Sequence, residues 1–216
     1  MPNPIFSVIT GDITSSSKTD RALLLKDLKE ILAQIASYQQ NEGIESNFDL
    51  YRGDSFQGII AKPEEALKYA LLIRSHLKKA NGTTDRDARI AIGVGTINFP
   101  ASNVAEADGE AFRNSGPLLD TMKNGVRIKL QTPWKAVNEE MEVALILADT
   151  IIKRWSIPQA EVIVHILRNA TQIEIAEKLG ISQSAVNQRL KAAHWEAIEK
   201  LLHRFRELII KSTQKT

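Results

Sequence analysis

Two aspartates that lie far apart in the chain have the side chains and the settings that could bind a metal ion. Asp12 follows the short apolar run "PIFSVIT" (residues 4–10), and Asp54 lies in "NFDLYRGDSFQGIIA" (residues 47–61). The second stretch reads as two strands around a Gly-Asp turn. Carboxylates that meet from distant positions are what a divalent cation requires. An ordinary hairpin turn explains Asp54 equally well, so both interpretations stay open here.

The loop after the first run, "GDITSSSKTDRA", carries groups that suit a phosphate. It leads into a helical pattern, whose free backbone amides and positive dipole end favour anions. With Mg²⁺ at the two aspartates, we expect the loop to bind the phosphates of a nucleotide. The predicted phosphate-binding residues are Ser15, Ser16, Ser17 and Lys18. The alternative is a plain serine-rich loop, with Asp12 capping its own turn.

Composition excludes several other classes of site. The 216 residues include no cysteine, which rules out disulfides and thiolate metal centres. The four histidines are scattered and show no zinc-ligand spacing. No apolar run approaches the ~20 residues of a membrane span, and no secretory leader is visible. We therefore expect a cytoplasmic protein with no membrane partner.

The charge is distributed unevenly along the chain. Residues 1–150 contain 17 Lys and Arg against 20 Asp and Glu, whereas residues 151–216 contain 11 against 6. An acidic first part and a basic second part indicate two modules, with any polyanionic partner bound by the second.

The order of elements over residues 4–132 is β-α-β-β-α-β followed by a further α-β. This split β-α-β order predicts an antiparallel sheet with helices on one face. The first strand would end at Asp12 and lie beside the hairpin, so that Asp12 and Asp54 come together. We expect the helical pattern over 109–124 to be interrupted at Gly116-Pro117. Residues 139–156 predict a connecting helix, and from Ile157 onward the pattern is entirely helical.

The stretch "TQIEIAEKLGISQSAVNQRLKAA" (residues 171–193) predicts a helix-turn-helix. Ala176 is small enough for the helix crossing, Gly180 tolerates a positive φ in the turn, and Ser182 suits the N-cap of the second helix. The apolar positions Ile175, Leu179, Ile181, Val186 and Leu190 fall on one face. The opposite face carries amides and hydroxyls suited to base edges and cations suited to phosphates: Gln183, Ser184, Asn187, Gln188, Arg189 and Lys191.

A final helix carries apolar residues at steps of three and four. The residues are Trp195, Ile198, Leu202, Phe205 and Ile209. Such a seam favours either a dimer, which would suit a palindromic DNA site, or packing within the same chain, and two heptads do not decide between these.

The first module resembles the palm domains of the class III nucleotidyl cyclase and GGDEF superfamily, on "VITGDIT", "RGDSF" and "RIAIGVG". The resemblance implies Asp12 and Asp54 as metal ligands, with the backbone oxygen of Ile13 as a further donor. Cyclases place an Asn and an Arg one turn apart on the next helix, where this chain has "DGEAFRNSGPLLD". We therefore assign no catalytic residues and expect a domain that senses a ligand.

The second module resembles region four of bacterial sigma factors, and the two modules together resemble the SatD family of bacterial proteins. The predicted fold is α+β: a ferredoxin-like, nucleotidyl-cyclase-like palm (1–136), a connecting helix (137–156) and an all-α helix-turn-helix domain (157–216). The predicted function is a DNA-binding transcriptional regulator, a homodimer, whose palm senses a nucleotide or Mg²⁺. The alternatives are a Mg²⁺-dependent nucleotidyl transferase or cyclase tethered to DNA, and an inactive palm that serves as a dimerisation scaffold.

Overall fold

The computed structural model describes residues 4–14, 21–41, 48–51, 54–79, 86–98, 108–123 and 125–215. The protein is α+β, with a five-stranded mixed sheet in the first part of the chain. The strands are β1 (Ile5–Thr14), β2 (Phe48–Tyr51), β3 (Ser55–Ile60), β4 (Asp87–Thr96) and β5 (Ile128–Gln131). The helices are α1 (Arg21–Asn41), α2 (Ala66–Lys79), α3 (Glu110–Asp120), α4 (Lys135–Ile152), α5 (Ile157–Ile166), α6 (Gln172–Leu179), α7 (Gln183–Ala192) and α8 (Trp195–Thr213).

The strand order is β2-β3-β1-β4-β5, with β1 in the centre. β1 runs antiparallel to both β3 and β4, as the split β-α-β pattern predicts. The expectation of a purely antiparallel sheet is wrong at one edge, because β5 is parallel to β4. A parallel neighbour follows from α3, since a crossover helix brings the chain back in the same direction.

Helices cover both faces of the sheet, which corrects the prediction of a single covered face. Successive residues of β1 point to opposite sides, and both Val8 and Ile9 are fully buried. Ile9 belongs to the large core that includes α1 and α2, whereas Val8 packs with Ala111 of α3. The Thr10 hydroxyl also donates to the Ser115 hydroxyl on α3 at 2.9 Å. α3 therefore forms the second layer.

α3 continues through Gly116 and Pro117, where an interruption is expected from sequence. Packing explains the difference, because Ala111, Ser115 and Leu119 form a buried stripe that holds the helix on the sheet. The strand beneath leaves room for it at Gly93. A Cβ built on Gly93 would lie 2.2 Å from the carbonyl oxygen of Ala111, so only glycine lets the α3 backbone approach β4 this closely.

One apolar core runs from the sheet into the helical second part of the chain. It includes Ile9 and Ile90 of the sheet, Leu71 of α2, Ile163 of α5 and Phe205 of α8. A 3₁₀ turn at Pro63–Glu65 lies directly before α2. Nη1 of Arg206 on α8 forms an ion pair with Oε1 of Glu65 in this turn at 2.9 Å. The first and second parts of the chain are thus held together by apolar packing and by an ion pair.

The apolar seam of α8 is buried within the chain. Ile198, Phe205 and Ile209 are each at most 1% exposed, and α8 contacts α4, α7 and the 3₁₀ turn. Of the two alternatives that the seam left open, packing within the chain is the one found. The predicted dimer receives no support from this face.

Within the described ranges, no helix combines the length and the apolar character that crossing a membrane requires.

Candidate functional site

Asp12 lies inside β1 and not at its end, because the strand continues to Thr14. Its direct partner on β4 is Arg89, and the two side chains lie on the same face of the sheet. Nε of Arg89 donates to Oδ1 of Asp12 at 2.9 Å, and Nη2 donates to Oδ2. Arg89 also donates to the Met122 carbonyl oxygen at 3.2 Å, which fixes the guanidinium over the sheet.

The ion pair between Asp12 and Arg89 is partly exposed, at 21% and 27% of the two side chains. The hydrogen bonds that Asp12 accepts raise the pKa of Arg89 above its ordinary value. Both carboxylate oxygens of Asp12 are therefore committed to a permanent cation.

Asp54 is brought close to Asp12 through the backbone, as the predicted topology requires. The residue opposite Asp12 on β3 is Ser55, and the amide of Ile13 donates to the carbonyl oxygen of Asp54 at 3.1 Å. The palm resemblance assigns the backbone oxygen of Ile13 to a metal. In this structure the backbone amide of the same residue donates a hydrogen bond to the hairpin turn. Asp54 itself is half-buried at that turn.

The residues at this place fit a divalent cation poorly as they stand. A cation at Asp12 would lie beside the guanidinium of Arg89, and the two positive charges would repel each other. Among the described residues, no three carboxylate or imidazole side chains cluster as metal ligands. The predicted phosphate-binding residues Ser15, Ser16, Ser17 and Lys18 lie outside the described residues.

Arg89 is the site residue that sequence reasoning missed. It is the charged residue of the otherwise apolar strand "RIAIGVG". Its position opposite Asp12 depends on the register of two strands that are far apart in the chain, and the order of elements does not give that register.

α6 and α7 meet at a turn with the predicted local geometry. Gly180 has φ +64°, in the left-handed region, and its position follows the last residue of α6. The Ser182 hydroxyl accepts a hydrogen bond from the amide of Ala185, which caps α7 as predicted. The start of α6 is fixed by a capping box between Thr171 and Glu174.

The predicted inner face of this segment is packed against the core. Ile175 and Val186 are fully buried, Ala176 and Leu190 are 8% and 5% exposed, and Leu179 and Ile181 are half-buried. Just before α5, the indole nitrogen of Trp155 donates to the carbonyl oxygen of Ala193 at 2.9 Å, which ties the end of α7 to the loop after α4.

The outer face of α7 is polar and exposed. Five of the six predicted contact residues are exposed: Gln183, Ser184, Asn187, Gln188 and Lys191. Arg189 differs, because it is half-buried and its Nη1 lies 3.3 Å from Oε2 of Glu161 on α5. This ion pair anchors α7 to α5, so Arg189 is bound to the protein in this structure and not presented to a partner.

A groove of about 440 Å³ runs beside the same face. Besides Asn187 and Lys191 it is lined by Gln172 at the start of α6 and by His194 and Lys200 at the start of α8. The sequence pattern did not single out these last three residues, because they belong to neighbouring helices and join the face of α7 only in the folded chain.

The fold defines an α+β protein in which a sheet part and a helical part share one core. The family model of the SatD family matches residues 6–207. The chain therefore belongs to the SatD family. No curated protein and no solved structure matches the chain.

Proposed function

We propose that this protein is a DNA-binding transcriptional regulator of bacteria that reads double-stranded DNA with α7. The observation that carries the proposal is the exposed face of α7, which presents amide and hydroxyl groups together with Lys191. Amide side chains at that spacing suit the donor and acceptor pattern of base edges in the major groove. A DNA partner implies a cytoplasmic protein, because bacterial DNA lies there.

The placing of α7 supports this role. Val186 and Leu190 pack one side of the helix against the core, and the turn at Gly180 fixes the position of its N-terminus. The polar groups of its N-terminal half therefore point to solvent. A recognition helix uses this half to contact bases, while flanking groups contact phosphates. We assign base reading to Gln183, Ser184, Asn187 and Gln188, and phosphate contact to Lys191. Arg189, which sequence assigned to phosphate contact, would first have to leave Glu161.

Two substitutions in α7 are expected to weaken DNA binding in different ways. Lys191→Ala removes a phosphate contact, so it should weaken binding to all sequences and lower the slope of log K against log salt by about 1. Asn187→Ala removes a base contact, so it should lower discrimination at one base pair by about 1–3 kcal/mol. The measurement is selection from a randomised duplex library, followed by fluorescence anisotropy titrations of the selected duplex at several salt concentrations.

Lys29→Ala is the matched control, because it removes one exposed lysine from α1 in the sheet part of the chain. It should change neither the affinity nor the salt slope. If both α7 variants bind like the unchanged protein, α7 is not the recognition helix. If no sequence is enriched and binding is absent at low salt, the proposal fails as a whole.

We further propose that the sheet part is a cyclase-like sensor palm, with Asp12 and Asp54 as the ligand site for a nucleotide or Mg²⁺ once Arg89 has moved away from Asp12. The adjacency of β1 to the β2–β3 hairpin supports it, since the backbone brings both aspartates to neighbouring positions. A ligand alters the DNA-binding part only by its different affinity for two arrangements of the chain. The enzymatic alternative is weaker, because α3, which follows β4, reads "EAFRNSGPLLD" and has no Asn and Arg one turn apart of the kind that cyclases use.

Melting experiments test the sensor site separately from DNA binding. With Mg²⁺ and a nucleotide at 100 times its dissociation constant, the unchanged protein should gain about 2.7 kcal/mol, a rise in Tm of roughly 5–10 °C. Asp54→Asn should abolish the rise. Arg89→Gln frees the Asp12 carboxylate, so Mg²⁺ alone should raise the Tm of this variant more than that of the unchanged protein.

Arg113→Gln serves as the control, because it breaks an exposed pair with Asp108 at the start of α3. It should respond to ligand like the unchanged protein. If no nucleotide in a broad panel shifts any of these proteins, and Arg89→Gln does not respond to Mg²⁺, the palm has no ligand at these aspartates. The DNA-binding proposal would be unaffected by that result.

A further inference from the structure

α4 carries an apolar stripe on the side that faces away from the core. The inner side of the helix is buried, through Val137, Met141, Leu145, Ala148 and Ile152. On the outer side, Val143 is 62% exposed, Ile146 58% and Leu147 62%. These are three of the four large apolar residues with most exposure in the described part of the chain, and they fall together at helical spacing. Such a cluster marks a binding surface.

Thr150 extends the stripe by one further turn of α4. Its hydroxyl donates to the carbonyl oxygens of Ile146 and Leu147 at 3.1 and 2.7 Å. Because the hydroxyl is bonded within the helix, it needs no polar partner from outside. The outer stripe of α4 is therefore defined as Val143, Ile146, Leu147 and Thr150.

The charges that flank the outer stripe have opposite signs at its two ends. Glu139, whose side chain is 65% exposed and lies 3.5 Å from the exposed Lys135, is on the same face one turn before Val143. Arg154 lies in the turn just after the end of α4, four residues beyond Thr150, and is also exposed. Glu142 adds a second exposed acid near the first end. An acidic first end and a basic second end match each other when the helix pairs with itself in the antiparallel sense.

We propose that the outer stripe of α4 is the interface of a homodimer in which two copies of α4 pack antiparallel about a two-fold axis. With the axis between Ile146 and Leu147, Val143 lies against Thr150 of the other copy. The same register brings Arg154, in the turn after α4, near Glu139 of the other copy at both ends of the interface. A two-fold axis uses one self-complementary surface twice, which is what this arrangement of charge and apolar residues provides.

The proposed dimer does not depend on the function proposed above, but it has a consequence for it. If α7 reads DNA, a two-fold pair of chains would present two such helices to a palindromic site. The buried seam of α8 cannot provide this pairing, because it is already used within the chain.

The mass of the full chain in solution tests the proposal. We expect light scattering or sedimentation equilibrium to give a dimer of the 24.0 kDa chain that dissociates on dilution. Leu147→Glu should shift the equilibrium to monomer, with an unchanged circular dichroism spectrum because the side chain is exposed. Ile173→Glu is the matched control, since Ile173 on α6 is also 58% exposed and lies outside the stripe. Its mass should remain that of the dimer.

The direction of packing is tested by charge reversal and by cross-linking. Glu139→Arg and Arg154→Glu should each weaken the dimer, and the double variant should restore it. The chain has no cysteine, so single cysteines can be introduced cleanly. Leu147→Cys should cross-link readily across the two-fold axis. Val143→Cys should not, because the two copies of residue 143 lie seven residues, or roughly 10 Å, apart along the helices.

A monomer at all accessible concentrations, or a dimer that persists in Leu147→Glu, would overturn the proposal. Efficient cross-linking by both cysteine variants would overturn the antiparallel arrangement in favour of a parallel one.

Discussion

Arg74→Met is expected to destabilise the protein by about 3–5 kcal/mol, because it leaves two buried carboxylates without their main cation. Arg74 on α2 is fully buried. Its Nε and Nη2 each donate to the carboxylate of Asp87 at 2.8 Å, and Nη1 lies 2.9 Å from Oδ1 of Asp149 on α4. One side chain thus joins α2, β4 and α4. Urea unfolding of the variant and of the unchanged protein at neutral pH measures the loss in the free energy of unfolding.

The pKa values of this cluster show that the ions compensate one another. Burial alone would lower the pKa of Arg74, but the hydrogen bonds and charges of Asp87 and Asp149 raise it above its ordinary value. Burial would likewise raise the pKa of Asp87, yet Arg74 holds it below the ordinary range. Lys78 and Lys153 remain near the carboxylates after the substitution, at 3.6 and 2.9 Å, and limit the loss.

Arg113→Met is the matched control for this prediction. It also breaks an Arg–Asp pair, with Asp108, but both side chains are more than 60% exposed, so its cost should be at most about 1 kcal/mol. In Arg74→Met the deficit should shrink as the pH falls, because protonation removes the uncompensated charges. Equal losses in the two variants would show that the buried pair contributes no more than a surface pair.

The second large effect is a loss of stability in mild acid that arises from two buried histidines. Burial, together with the neighbouring cations Arg168 and Lys79, lowers the pKa of His76 from 6.5 to about 3. Burial, Lys178 and Lys79 lower the pKa of His165 to about 4. Arg168 also lies 3.0 Å from Nε2 of His76. Both imidazoles are therefore neutral in the folded protein at pH 5.

The sign follows from the unfolded chain, whose histidines take up protons near pH 6.5. Above that pH neither state binds these protons, and the full stability is present. Below it only the unfolded chain binds them, so each histidine should reduce the free energy of unfolding by about 1.4 kcal/mol per pH unit until its folded pKa is reached. Urea titrations between pH 7 and 5 measure the slope before most carboxylates titrate.

His76→Gln combined with His165→Gln should flatten the slope between pH 7 and 5. His203→Gln changes an exposed histidine on α8 and should keep it. If the double variant loses stability with acid as steeply as the unchanged protein, the two histidines are protonated in the folded state and the prediction is wrong.

Local sequence patterns predict the helices, strands and turns of this protein well, but they do not predict which distant residues pair. The cap at Ser182, the turn at Gly180 and the inner face of α7 depend on neighbouring residues, and they were predicted correctly. The opposition of Asp12 and Arg89 depends on strand register, and the meeting of Arg74 with Asp149 depends on the docking of α4. Those follow only from the assembled fold.

The same contrast explains the error at α3 and the two alternatives that stayed open at α8. Gly116-Pro117 is a strong local signal for interruption, but the packing of α3 on Gly93 overrides it. The seam of α8 was visible in sequence, but its partner was not, because an amphipathic stripe has the same pattern whether it faces another copy or its own core.

The central position of β1 has a consequence for how the chain reaches this fold. Its register pairs Asp12 with Ser55 of β3 and Ile5 with Thr96 of β4. Both neighbours of β1 are therefore translated much later than β1 itself. At 5–20 residues per second, a ribosome needs roughly 5–20 s to pass from Ile5 to Thr96. During that interval the buried central residues of β1, such as Val8 and Ile9, have at most the β2–β3 hairpin as a partner. Because sheet closure depends on these non-local contacts, we expect the nascent chain to fold slowly and to bind chaperones until β4 has been translated.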